Sequence, residues 1–165
     1  MKSIFFAVAL FFNTASFCQQ QITTLILLRH AEKGNDGSTD PDLSEVGKVR
    51  AESLVKLFNK TKIDAIYSTS YKRTKGTVAL LAKAKSLTIE GYNPSKMEDI
   101  DAILQKYKGG TVVVVGHSNT TPAVANYLTG RKDEYPAFDD SEYGNMLIVS
   151  IVEKGRDVKV VWLSY

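Results

Sequence analysis

Thr111-Val112-Val113-Val114-Val115-Gly116-His117-Ser118 reads as a buried strand that ends in a polar turn. Four consecutive valines leave no alternation of polar and apolar faces, so both sides of the strand must be covered. Runs of this kind belong to parallel sheets with helices above and below. The stretch therefore puts the chain in the α/β class and sets His117 at a strand's carboxyl end, where open α/β sheets bind ligands. The same arrangement occurs upstream. Ile22–Leu28 is a continuous, partly β-branched run, and Arg29-His30 follows it. These are the chain's two histidines. Histidine serves as nucleophile, acid, base or charge partner near neutral pH, so finding both in this one context is the main clue to function.

Between these strands the elements alternate. Residues 33–42, rich in Gly, Asp, Ser and Thr, predict an acidic flexible turn. Ser44 predicts the cap of a helix to about Asn59, with Val46, Val49, Leu54, Leu57 and Phe58 at helical spacing. Ile63–Tyr67 is a second strand, Tyr71–Lys85 a helix and Leu87–Glu90 a short third strand. Ser95 with Glu98 fits a capping box that opens another helix, and Gly109-Gly110 stops it. Pro122 suits the first turn of a helix ending near Gly130. Asn145–Val152 and Val158–Leu163 then predict a hairpin. The expected architecture is a three-layer α/β/α sandwich, its sheet mostly parallel with an antiparallel C-terminal edge.

A chain of 165 residues suits one domain with a sizeable core, and 44% hydrophobic with 24% charged residues is ordinary for a globular protein. A net charge of +3 without a lysine-arginine run gives no footprint for nucleic acid. Lys2, the apolar stretch Ile4–Phe12 and the small polar residues after it have the layout of a secretory signal peptide. The expectation is a leader over residues 1–18, a domain over 19–165, and an exported protein, periplasmic or extracellular. Lipid attachment at Cys18 ranks below cleavage because Phe17 is a poor residue before a lipidated cysteine, and a buried or membrane-lying helix is the further alternative. Cys18 is the sole cysteine, so its removal would leave no thiol chemistry and no disulfide. The mature chain has no expected membrane span.

Three strand ends carry the chemistry: Arg29-His30, then Tyr67-Ser68-Thr69-Ser70-Tyr71-Lys72-Arg73-Thr74, then Gly116-His117-Ser118-Asn119. If the strands are neighbours, two arginines and two histidines meet in one crevice. Arginine forks and helix N-termini suit a tetrahedral oxyanion, with a histidine placed to attack it and no metal cluster required.

Leu28-Arg29-His30-Ala31-Glu32, Leu43-Ser44-Glu45-Val46-Gly47, Ser68–Thr74 and Gly116-His117-Ser118, in this order and spacing, resemble the histidine phosphatase (phosphoglycerate mutase-like) superfamily. The resemblance runs from the first strand to at least Gly130 and implies that fold. It also implies that His30 is the nucleophile, forming a phosphohistidine. Arg29 and Arg73 would bind the phosphate oxygens, and His117 would complete the pocket and stabilise charge in the transition state. No cofactor is implied. The substrate would be a phosphorylated small molecule or a phosphoprotein, carrying a phosphomonoester or a phosphoramidate.

The match departs from the family at the general acid. Members with a strong mutase or small-molecule phosphatase signature carry a glutamate in a longer motif after the third strand, and here only Glu90 in Leu87–Tyr92 stands there. Glu90 is the candidate, with Asp36, Asp139, Asp140 and Glu142 as weaker alternatives. Without room for large insertions, the chain resembles compact members, including protein phosphohistidine phosphatases. Glu32 could contact substrate or form a loop salt bridge, and Ser118 and Asn119 could donate to phosphate or cap the following helix. Lys33, Lys72 and Lys75 would make the mouth electropositive. Asp36–Asp40 begins like a calcium loop but lacks its glycine and terminal glutamate. Trp162 and the tyrosines near the C-terminus read as packing.

Other readings remain open. A degenerate family member would bind phosphorylated ligands without turnover. A serine hydrolase would use Ser118 in Gly116-His117-Ser118-Asn119-Thr120, but Thr120 crowds that turn and no histidine follows His117. A metal hydrolase needs more clustered ligands than two separated histidines.

Overall fold

The computed structural model describes residues 20–165; the expected leader over 1–18 lies outside them. Ten elements follow in the order β1 (Thr23–Arg29), α1 (Glu45–Leu57), β2 (Ala65–Ser68), α2 (Lys72–Lys85), β3 (Ile89–Gly91), α3 (Met97–Lys106), β4 (Thr111–Gly116), α4 (Thr120–Thr129), β5 (Asn145–Glu153) and β6 (Asp157–Ser164). They form one six-stranded sheet in the order β3-β2-β4-β1-β5-β6. The first four strands of that order run parallel, and β5 and β6 join antiparallel. The valine strand is interior, between β2 and β1, as its two covered faces require.

Alternate residues of each strand feed two separate cores. Leu25, Leu27, Val112 and Val114 pack with Ile100, Ile103 and Leu128 of α3 and α4. Ile26, Leu28, Val113 and Val115 pack on the other face with Leu54, Val78 and Leu81 of α1 and α2. This is the expected three-layer sandwich. Among the described residues no helix is long and apolar enough to cross a membrane.

Three local expectations need correction. In α1, Val46, Val49 and Leu57 are exposed (63%, 66% and 51%), whereas Gly47, Ala51 and Leu54 face the core. Both sets lie at helical spacing, but the one with small residues lets the helix approach closely. An added Cβ at Gly47 would stand 2.2 Å from the carbonyl oxygen of Glu32. The capping box at Ser95 does not form: Lys96 occupies the cap position of α3 without a side-chain bond. Instead, Asn93 accepts from the Ser95 N–H and Asp99 accepts from the Asn93 N–H, which closes the turn one step earlier. The acidic turn over 33–42 is also tied down. Gly34 donates to the Asp42 carbonyl and Ser44 to the Glu32 carbonyl.

The Gly47 contact makes a prediction. Gly47→Ala must push the Glu32 backbone away, and such overpacking costs about 1–3 kcal/mol. A thermal melt should show the variant destabilised. An unchanged melting temperature would mean that α1 does not lie against the residues following His30.

Candidate active site

The β1–β4 pairing aligns Arg29 with Gly116, so the next residues, His30 and His117, leave adjacent strands together. The His30 N–H extends the ladder onto the Gly116 carbonyl at 3.0 Å. The two imidazoles meet edge to face with centroids 5.4 Å apart. β2, on the other side of β4, leads through Thr69–Tyr71 into α2 and supplies Arg73. Arg29, His30, Arg73 and His117 line one cavity of about 390 Å³. The conditional convergence of two histidines and two arginines is therefore what the fold produces.

Each side chain is held by identifiable bonds. His30 Nδ1 lies 2.8 Å from the Ala31 carbonyl, which can only accept, so Nδ1 carries the proton and Nε2 keeps its lone pair. The Ala31 N–H in turn donates to Thr77 on α2. His117 Nε2 lies 3.1 Å from the Thr69 hydroxyl, which donates to Thr74, which donates to the Tyr71 carbonyl. Every group in this relay has a partner, and that fixes the tilt of the ring.

Arg29 is 3% exposed. Its Nη1 donates to the carbonyls of Asp139 and Glu142 (2.6 and 3.0 Å) and its Nη2 to that of Asp140 (3.1 Å). Of five guanidinium N–H groups, this leaves Nε–H and one on Nη2. Arg73 stands 3.5 Å from Asp40, whose carboxylate also accepts from the Lys72 N–H at the start of α2. The Nε atoms of both arginines are buried without a partner among the described residues. Each guanidinium also lies over a tyrosine ring at 4.2 Å, Arg29 on Tyr143 and Arg73 on Tyr71.

The electrostatics follow from burial and charge. Burial lowers the His30 pKa to about 4; the Ala31 bond opposes this, while His117, Arg73 and Arg29 reinforce it. Burial and then the two arginines lower His117 to about 4 as well. Both rings are neutral at pH 7, so His30 has an available lone pair.

The remaining expected residues divide. Ser118, Asn119 and Lys33 line the cavity. Asn119 occupies the α4 cap position but makes no side-chain capping bond; the Thr120 hydroxyl accepts from the His117 N–H instead. Glu32 lies outside the cavity in an ion pair with Arg50 at 2.7 Å. Glu90 is also outside, gripped by Lys106, Tyr67 and Tyr107. Lys106 first, then the tyrosines, hold its carboxyl below the usual carboxylate range. A general acid near neutral pH needs the opposite shift, so Glu90 is not placed to serve as one. Of the weaker alternatives, Asp140 lines the cavity. Asp139 and Glu142 lend Arg29 their carbonyls, and the Asp36 carboxylate accepts from Ser38 in an exposed turn. Tyr143, read as packing, is a wall of the site, whereas Trp162 does pack, against Phe138 and Tyr135. Asp40 and Tyr71 gave no sequence signal of their roles. Among the described residues no group of three His, Cys, Asp or Glu side chains could hold a metal ion.

Residues 25–93 match the sequence profile of the histidine phosphatase superfamily, branch 1. Over 71 residues the chain is 42% identical to phosphoserine phosphatase 1 of Hydrogenobacter thermophilus, covering 39% of this chain and 34% of that protein. The match thus spans about a third of that relative's length. Among solved structures, mycobacterial hydrolase 1 superposes with a TM-score of 0.72 at 18% identity, over 88% of this chain and 100% of the other. The protein histidine phosphatase SixA complexed with tungstate gives 0.70 at 17%, over 86% and 96%. A mycobacterial glucosyl-3-phosphoglycerate phosphatase gives 0.66 at 16%, over 88% and 99%. At these identities the likeness is one of fold.

Two histidines make the site's electrostatics measurable by NMR. In phosphate-free buffer both imidazoles should titrate near pH 4 rather than 6.5. Between those values the unfolded chain binds protons that the folded one does not. Stability is therefore fully present above pH 6.5 and falls as the pH drops through this window. Added phosphate should raise both midpoints. Midpoints near 6.5 without phosphate would show a solvated site.

Proposed function

We propose that the chain, whose residues 25–93 match the profile of branch 1 of the histidine phosphatase superfamily, is a metal-independent phosphatase working through a phosphohistidine on His30. The observation that carries this reading is the single cavity in which both imidazoles face each other at 5.4 Å and both arginines form the wall.

The phosphoryl oxygens sit against the guanidinium groups of Arg29 and Arg73, which line the cavity. The start of α4 at Ser118 and Asn119 adds partial positive charge. His30 Nε2 forms a bond to phosphorus as the bond from phosphorus to the leaving oxygen or nitrogen breaks. The leaving atom takes a proton from water. A second attack, by the resulting hydroxide or by water, breaks the P–N bond and releases inorganic phosphate, so one water is consumed overall. The Ala31 carbonyl holds the Nδ1 proton as the ring becomes electron-poor. His117, neutral at rest, is protonated more readily once the dianion has entered and then offers a further donor to the transition state. Phosphomonoesters and phosphoramidates both fit this sequence of steps. Similarity to a phosphoserine phosphatase supports the former, and the fold likeness to SixA is compatible with the latter.

The variants should separate by role. The trapped phosphoenzyme should be acid-labile and stable to alkali, and His30→Ala should abolish both it and turnover of p-nitrophenyl phosphate. Arg73→Ala, which removes an oxyanion clamp, should lose on the order of a hundredfold or more in kcat/KM, far more than Lys75→Ala on the exposed side of α2. Alkali-labile phosphate on Ser118 would move the nucleophile. Tight phosphate binding without turnover would make the chain a binding module. Equal losses in Arg73→Ala and Lys75→Ala would reduce Arg73 to a surface charge.

Export over a cleaved leader is part of the proposal, supported by the Lys2 and Ile4–Phe12 pattern. Fractionation of expressing cells should recover a chain shortened by about the leader's length outside the cytoplasm. A full-length cytoplasmic chain would reject it.

A further inference from the structure

Resting on the phosphatase reading, we propose that Asp140 selects phosphomonoesters whose leaving group carries an ammonium close to the ester oxygen. These are the phosphates of amino alcohols.

Asp140 lines a cavity whose other charged walls are Arg29, Arg73 and Lys33. A site for a dianion gains nothing from a carboxylate in its wall, since like charges a few ångströms apart repel. The nearby acids that have structural duties show them. Asp40 accepts from the Lys72 N–H and pairs with Arg73. The Glu142 carboxylate accepts from the Asp139 N–H and the Asn145 amide. Asp140 has no comparable duty. Its side chain is fully exposed and stands 3.9 Å from Arg29 Nη2, a loose contact.

Arg29 is secured without that carboxylate, because its bonds go to the backbone carbonyls of Asp139, Asp140 and Glu142. The same bonds fix where Asp140 stands. Its backbone is pinned to an arginine of the proposed phosphate site, so its carboxylate stays within reach of the mouth beside that site. A phosphoryl group seated on Arg29 therefore leaves its ester substituent near a solvent-exposed negative charge whose ion-pair contact, 3.9 Å to Arg29, is loose. An ammonium there gains a counter-ion, whereas a carboxylate there meets repulsion.

Asp140 could instead be the missing proton donor. Donors that work near neutral pH are usually made by burial, and this side chain is in open solvent. The two roles also differ in their readout. A proton donor serves all poor leaving groups whatever their charge, whereas a charge selector discriminates by sign.

The test uses the full chain and two substrates of similar size and opposite charge, phosphoethanolamine and phosphoglycolate. p-Nitrophenyl phosphate is assayed beside them as a reference that shows whether the enzyme is active. Wild type should prefer phosphoethanolamine. Asp140→Asn should lower the ratio of the two kcat/KM values about tenfold, roughly threefold from each substrate, the scale of an exposed ion pair. Asp140→Glu should largely restore the ratio. A ratio unmoved by Asp140→Asn overturns the proposal. If both alkyl phosphates then fall together relative to p-nitrophenyl phosphate, the residue is a proton donor. If wild type turns over none of the three, the phosphatase reading has failed separately. The selection is then judged from the ratio of the two Kd values, which must shift in the same sense.

Discussion

The parallel register that sets Arg29 opposite Gly116 is the constraint on which the site depends. Because β1 and β4 are neighbours in this register, two histidines far apart in the chain leave the sheet at the same level. A slip of one residue would send one imidazole to the opposite face of the sheet. Gly116 maintains the approach on the β4 side. A Cβ there would stand 2.7 Å from the Thr120 hydroxyl and 3.0 Å from those of Thr121 and Tyr92. Thr121 closes the circuit by donating to the Leu28 carbonyl, which ties the start of α4 back to β1. The glycine, the threonines and the register thus act as one positioning device.

Charge is balanced inside this frame in a way that suits an anion. Two guanidinium groups sit beside two neutral imidazoles, each arginine is stacked on a tyrosine, and a carboxylate stands near each. Burial first, and the arginines after it, disfavour imidazole protonation, which leaves the His30 lone pair available. In the proposed reaction, the positive field that would attract a phosphate also helps keep His30 unprotonated for attack.

The fold and the four central residues were legible because their signals are local. Continuous apolar runs announce buried parallel strands, and Arg-His or Gly-His immediately after such runs inherits the strand's direction. The other parts of the site are encoded differently. The His30 partner is the Ala31 carbonyl, a backbone atom present at every position, so no residue type announces it. Tyr143, Asp140 and Asp40 reach the cavity through loops whose paths depend on long-range bonds to Arg29 and to α2. In α1 two apolar stripes compete, and close approach at Gly47 decides between them, which periodicity alone does not reveal. Glu90 was attractive by its place after the third strand. Its neighbours Lys106 and Tyr107 on α3 claim it, and that pairing exists only once the layers are packed.

Arg29 shows how far structure and chemistry are shared here. Its guanidinium satisfies three carbonyls of the 139–142 segment while being almost fully buried. Removing it would leave those acceptors without their donor, at a cost of about 1–3 kcal/mol each where they stay dry, and would free the loop that carries Asp140 and Tyr143. Loss of activity on replacing Arg29 would therefore mix a damaged wall with a missing charge. Arg73 is different in kind. It lies in the first turn of α2, its charged partner is one half-exposed aspartate, and the helix does not depend on its side chain. Of the two proposed clamps, a change at Arg73 would report on chemistry, and one at Arg29 on how the cavity wall is held in place.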